Sequence, residues 1–182
     1  ITNYVSINDC ANIVLACGGA PIMAEDINEV SQITSLCQGL DINIGMLNDN
    51  KLSSMLKAGA TANELGIPVI LDPVGAGSSD YRIKAVQNLM SNVQFGVIRG
   101  NVSEIKAIAV KQGIHNIAAG VYETMQKDRS AMGVEAGVAD KITDDNIKEM
   151  ADFINKLSQK TGAVIAVTGG IDMVADENRV YA

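Results

Sequence analysis

Four short apolar runs recur along the chain, LDINIG, PVILDPV, FGVIRG and GAVIAVTGG, and helix-like stretches separate each from the next. Strands that alternate with helices are joined as βα units, and such units build a mostly parallel sheet with helices packed on it. The expected class is therefore α/β, with three αβα layers around a central sheet, and residues 1–182 forming a single domain. PVILDPV has no polar interruption before its acid, as in a strand buried on both faces of a parallel sheet.

The helical stretches follow the 3.6-residue rhythm. Asp9 to Cys17 is expected to be helical, capped by Asn8 or Asp9 and ended by Gly18-Gly19. Asp26 to Gln38 follows, with Asp26 and Glu29 at capping-box spacing. Leu52 to Leu65 ends at Gly66, with Pro68 just beyond. Tyr81 to Met90, Val102 to Lys111 and Asp144 to Lys160 complete the helices. In the last of these, Ile147, Met150, Ala151, Ile154 and Leu157 share one stripe. Gly113 to Lys141 reads as irregular. DMVADENRVYA reads as a hairpin turning at Asp176-Glu177-Asn178.

Hydrophobic residues make up 47% of the 182, but aromatics only 3%, so the core must be aliphatic. A net charge of -7 argues against a nucleic-acid partner, which needs a basic face. It does not exclude a phosphate ligand, which backbone N–H groups and one Arg can hold. No apolar run reaches membrane-spanning length, and no secretory n-region is present, so no membrane partner is expected. Cys10, Cys17 and Cys37 form a sparse, odd set without metal spacing. They read as buried small hydrophobes in a reduced, cytoplasmic protein. The chain opens on ITNY and stops at RVYA, and both ends are expected to be incomplete.

In an open parallel sheet, ligands bind outside the carboxyl ends of the strands. Those ends carry Gly45; then Asp72 and its glycines; then Arg99, Gly100, Asn101 and Glu104; then Thr168, Gly169 and Gly170. Two carboxylates can hold Mg²⁺, an Arg can neutralise phosphate oxygens, and a Thr beside glycine N–H groups can take a phosphate. Together they suit phosphoryl transfer, in which positioning and charge do most of the work. Each also has a plain reading. Asp-Pro after a strand makes a turn, Glu104 complements a helix dipole, and Arg99 pairs with Asp72. There is no GxxxxGK[ST], and no strand is followed by GxGxxG. His115, the single histidine, falls in the irregular stretch and reads as a loop residue.

ITNYV, NDCAN, GGAPIMAED, NIG, PVILDPVGAG, YR, VIRGNVSEI and AVTGGIDMVAD occur in that order. This series closely resembles the hydroxyethylthiazole kinases, thiamine-salvage enzymes of the ribokinase-like superfamily. The resemblance covers nearly the whole chain and is weakest from Gly113 to Lys141. It implies transfer of the γ-phosphoryl of ATP to the primary alcohol of 4-methyl-5-(2-hydroxyethyl)thiazole, with Mg²⁺. It implies metal-proximal roles for Asp72 and Glu104, ATP contacts for Arg99 and Thr168, and a thiazole pocket lined by Asn3, Val5 and Met23. It further implies a homotrimer with the thiazole site between subunits.

The resemblance also implies a GTGC-like turn beyond Ala182, whose N–H groups form an anion hole and whose Cys lies near the substrate hydroxyl. Cys10, Cys17 and Cys37 match no such position. These 182 residues alone are expected neither to fold stably nor to turn over. MGVEAG stands where the family shows KGVDSG, which removes a Lys near the nucleotide. The competing readings are a truncated homologue that only binds or assembles, and a kinase for another small alcohol such as hydroxymethylpyrimidine or pyridoxal.

Overall fold

The computed structural model describes residues 1–113 and 141–182; His115, MGVEAG and all of Gly113–Lys141 except its two end residues lie outside the described residues. Among them, twelve elements run in the order α1 (Ile7–Ala16), α2 (Val30–Ser35), β1 (Leu40–Asn43), α3 (Asp49–Glu64), β2 (Val69–Asp72), α4 (Asp80–Asn92), β3 (Val97–Asn101), α5 (Val102–Lys111), α6 (Ile147–Thr161), β4 (Val164–Thr168), β5 (Met173–Ala175) and β6 (Val180–Tyr181). The six strands form one sheet in sequence order. β1 to β4 are parallel, and β5 and β6 add an antiparallel hairpin at the edge. This is the expected mixed α/β fold with a mostly parallel sheet; of the three αβα layers expected, the described residues supply the sheet and the helix layer on one face.

Strand register determines which side chains meet the helices. Ile42, Leu71, Ile98, Ile165 and Ala175 are register partners across five strands. All five are essentially inaccessible, at 0–1% exposure. They are one row of the core, because side chains of the same parity share a face. α3 covers this face with Met55, Ala58, Gly59 and Ala62, and α6 with Met150, Phe153, Ile154 and Leu157. In a sheet ordered β1-β2-β3-β4, right-handed crossovers carry every connecting helix to the same side.

The opposite parity differs. Ile70 and Val174 are about two-fifths exposed, at 42% and 41%. The expectation that PVILDPV is buried on both faces therefore fails for the described residues: Val69 and Leu71 are buried and Ile70 is not. Its apolar run reflects one packed face and one open face.

Helix boundaries shift for local reasons. α3 begins at Asp49 rather than Leu52 because the Asn48 side chain accepts the Lys51 N–H, an N-cap. Ser79 does the same for α4 by accepting the Arg82 N–H. The expected capping box at Asp26 does not form. Asp26 Oδ1 instead accepts from Asn28 N–H and Nδ2, a local Asx turn that competes with the helix. α2 accordingly shortens to Val30–Ser35. α1 buries no residue, so Cys10 is half-buried and Cys17 exposed rather than core; Cys37 is half-buried. The hairpin turns as expected, with Asp176 Oδ1 accepting from Asn178 and Arg179 N–H.

Gly59 sits where α3 meets the end of α4. A Cβ there would lie 2.5 and 2.8 Å from the two Val93 methyl carbons. Alanine ordinarily favours a helix by about 1 kcal/mol over glycine. Here overpacking against a stiff β-branched side chain outweighs that gain. Gly59→Ala is expected to destabilise the protein by about 1–3 kcal/mol in urea unfolding, and Val93→Ala in the same chain to recover part of the loss.

Candidate active site

The open row of the sheet carries the polar residues. Asn43 on β1 is the register partner of Asp72 on β2. Arg99 on β3 lies one step beyond the Leu71–Ile98 pair and is the partner of Ala166 on β4. Asp72 is thus the last residue of its strand, flanked by Asn43 and Arg99 on the same face.

Asp72 is a half-buried carboxylate. Its Oδ2 accepts a hydrogen bond from Asn43 Nδ2 at 2.9 Å and lies 3.8 Å from Arg99 Nη1. The second distance is outside hydrogen-bond range, and the Arg99 side chain is 53% exposed. Such a pair stabilises by only about 0–1 kcal/mol, so Arg99 is not committed to Asp72. Burial pushes the Asp72 carboxyl up from 3.8 to about 6. Glu104 and Asp41 push the same way, and Arg99 and the Asn43 hydrogen bond oppose them.

Glu104 closes the far side of the rim. Its Oε2 accepts the Asn101 N–H at 2.8 Å, while Asn101 Oδ1 accepts the Glu104 N–H, a full capping box at the start of α5. Its Oε1 accepts the Gly75 N–H at 2.9 Å. One carboxylate therefore caps a helix and ties down the turn after Asp72. A Cβ at Gly100 would come within 2.9 Å of Glu104 Oε2, so the glycine of IRGN makes room for that carboxylate.

Arg82 holds the same turn from the other side. Its Nη1 donates to Ile44 O at 2.6 Å and Val74 O at 2.8 Å, and its Nη2 donates to Gly45 O at 2.8 Å. The loops after β1 and β2 are bound to each other through one guanidinium. A cation in a helix's first turn opposes the dipole, and the three carbonyls that Arg82 engages offset that cost.

Asn3 is joined to this group. Its Nδ2 donates to Asn43 Oδ1 at 3.2 Å, and its Oδ1 accepts from Ser6 N–H and Oγ. Val5, at 88% exposure, and Met23, at 41%, stand outside the hydrogen-bonded group. Buried Lys51 holds their segments together: its Nζ donates to Thr2 O at 3.0 Å, pairs with Glu25 at 2.9 Å and lies over the Tyr4 ring. Tyr4 also donates its hydroxyl to Glu25. Thr168, at the end of β4, is the register partner of Asn101, and its hydroxyl reaches Gly100 O at 3.5 Å. A cleft of about 480 Å³ lies at the other end of the sheet, lined by Met90, Gln94, Gln112 and Lys160 among others. None of the rim residues lines it.

The whole chain, residues 1–182, matches the family model for the hydroxyethylthiazole kinase family. The chain belongs to that family. It is 53% identical over 181 residues to a hydroxyethylthiazole kinase of Clostridium acetobutylicum, covering 100% of this chain and 60% of the relative. It is 46% identical over 182 residues to one of Desulfovibrio desulfuricans, covering 100% of this chain and 58% of the relative. The structure resembles that of a hydroxyethylthiazole kinase protein from Pyrococcus horikoshii OT3, with TM-score 0.78 and 30% identity over 99% of this chain and 58% of that one. The chain thus spans about 60% of the length of the relatives it matches. No helix among the described residues is long and apolar enough to cross a membrane.

The raised carboxyl of Asp72 predicts a pH-dependent effect on stability. The folded state binds the Asp72 proton more tightly than the unfolded chain does. Its stabilising contribution is therefore complete below about pH 4 and lost as pH rises through about 6. Asp72→Asn removes the loss. The variant is expected to gain about 1–2 kcal/mol over the parent at pH 8, after discounting for partial exposure, and nothing at pH 4, by urea unfolding.

Proposed function

We propose that the protein, at its natural full length, transfers the γ-phosphoryl group of ATP to the primary alcohol of 4-methyl-5-(2-hydroxyethyl)thiazole. The observation that carries this is the open rim of the sheet. A half-buried Asp72 ends a parallel strand beside an uncommitted Arg99, in a chain of the hydroxyethylthiazole kinase family. Phosphoryl transfer asks for positioning and charge rather than covalent chemistry, and these residues supply both.

Asn3, Val5 and Met23 form the alcohol pocket in this reading. Met23 packs on the heteroaromatic ring, which its polarizable thioether suits. Arg99 and Thr168 meet the anionic phosphates. Asp72 lies nearest the reacting oxygens.

No group of three or more His, Cys, Asp or Glu able to hold a metal is present among the described residues. That fits Mg²⁺, which is held by one or two carboxylates and otherwise by water and phosphate. Asp72 would hold it, since among the described residues its Oδ1 accepts no hydrogen bond. Glu104, whose oxygens each accept a backbone N–H, adds negative charge nearby. When bound, Mg²⁺ supplies positive charge to the phosphate oxygens.

Exposed Tyr4, Val5, Ile13, Leu15 and Met23, all within the first 23 residues, support a subunit contact beside the alcohol pocket. A homotrimer with the pocket between subunits is the assembly that goes with this reading, and sedimentation equilibrium tests it.

The deciding assay is ATP-dependent phosphorylation of hydroxyethylthiazole, with hydroxymethylpyrimidine and pyridoxal alongside. Turnover on the thiazole, abolished by EDTA and restored by Mg²⁺, is expected. Asp72→Asn is expected to lower kcat by about 10²–10³-fold. Turnover on another alcohol alone, or an unchanged kcat in Asp72→Asn, would contradict the proposal.

A further inference from the structure

Asn43 is a buried amide, 8% exposed, in the middle of the rim. An Asn side chain has two donor hydrogens and two acceptor lone pairs. Three of these four are used: Nδ2 donates to Asp72 Oδ2 at 2.9 Å, and Oδ1 accepts from Gly45 N–H at 2.8 Å and from Asn3 Nδ2 at 3.2 Å. The Gly45 backbone N–H can only donate, so it fixes Oδ1 on its own side and turns Nδ2 toward Asp72. The Asn3 amide is fixed in the same way, because its Oδ1 accepts the Ser6 N–H. Neither amide can flip without breaking a bond to backbone. The chain Ser6–Asn3–Asn43–Asp72 therefore has one orientation throughout.

A side chain at position 45 would collide with this pair of amides. A Cβ at Gly45 would lie 2.9 Å from Asn43 Oδ1 and 3.1 Å from Asn3 Nδ2. The Gly45 carbonyl is held in turn by Arg82. Asn43 is also anchored through its own N–H, which donates to Ile1 O.

We infer that Asn43 is a positioning residue: it fixes the Asp72 carboxylate and links it to Asn3. This rests on the kinase reading above. Asn43 does not itself meet either substrate. It sets which Asp72 oxygen is engaged, and joins the segment of the alcohol pocket to the acid at the phosphates. Its loss should slow the reaction step, because a displaced catalytic group costs rate even where binding survives.

The test is a double-mutant cycle in the full-length protein, with kcat and both KM values read for each variant. Asn43→Leu is expected to lower kcat by about 10–100-fold with KM for ATP changed less than about threefold. Asn43→Ser is a second variant for the case in which leucine impairs folding, and thermal midpoints check both. In the Asp72→Asn background, either substitution at Asn43 is expected to cost less than about threefold more in kcat, because the carboxylate through which it acts on the reaction step is already gone. A merely structural Asn43 would give losses that multiply in the double variant, or a kcat per folded site equal to the parent's. Either result overturns the inference while leaving the kinase reading intact. An inactive parent overturns both.

Discussion

A carboxylate kept half out of water at the end of a parallel strand is the constraint around which the rim is built. Burial alone would drive Asp72 toward its neutral form, and the nearby Glu104 and Asp41 reinforce that. One hydrogen bond from Asn43 and a distant Arg99 oppose it. The balance is left unfavourable in the folded chain, and carboxyls perturbed in this way cluster at functional sites.

The sheet's register explains how such a site can coexist with a close-packed core. Alternate residues face opposite sides. The row Ile42–Leu71–Ile98–Ile165–Ala175 meets α3 and α6 and is sealed. The neighbouring row, Asn43–Asp72–Arg99, lies on the open face. Shifting one strand by a single residue would exchange the two rows, so the same hydrophobic burial that stabilises the sheet also fixes the site's side. The backbone of the rim is then tightened by charge: Arg82 takes three carbonyls from two loops, and Glu104 takes two N–H groups. Charge-assisted bonds of this kind are stronger than neutral ones, and they pin these loops alongside the buried side chains of Ile44 and Ala76.

Much of this was legible in the sequence. Apolar runs separated by helical stretches give the βα rhythm, and the strand-end rule alone selects Asp72, Arg99, Glu104 and Thr168. Asn43 was less visible. It reads as an ordinary polar residue in an alternating strand, and the role proposed for it depends on a register with β2 that no local pattern specifies. Glu104 was read by its charge, yet its contacts in the structure are backbone N–H groups. The glycines of NIG and IRGN were legible as motif letters; their physical reason, room for the Asn43 amide and the Glu104 carboxylate, needs coordinates. The false capping box at Asp26 failed because a short acidic side chain satisfied its own turn first. The second buried face expected of PVILDPV failed because an apolar run does not say which of its residues are covered.

The most direct test of the account is a crystal structure of the full-length protein with Mg²⁺, hydroxyethylthiazole and a non-hydrolysable ATP analogue. The account predicts the γ-phosphate on the open face of the sheet, with Asp72 beside it and the alcohol next to Asn3. A nucleotide bound instead in the cleft lined by Met90, Gln112 and Lys160, at the far end of the strands, would contradict it.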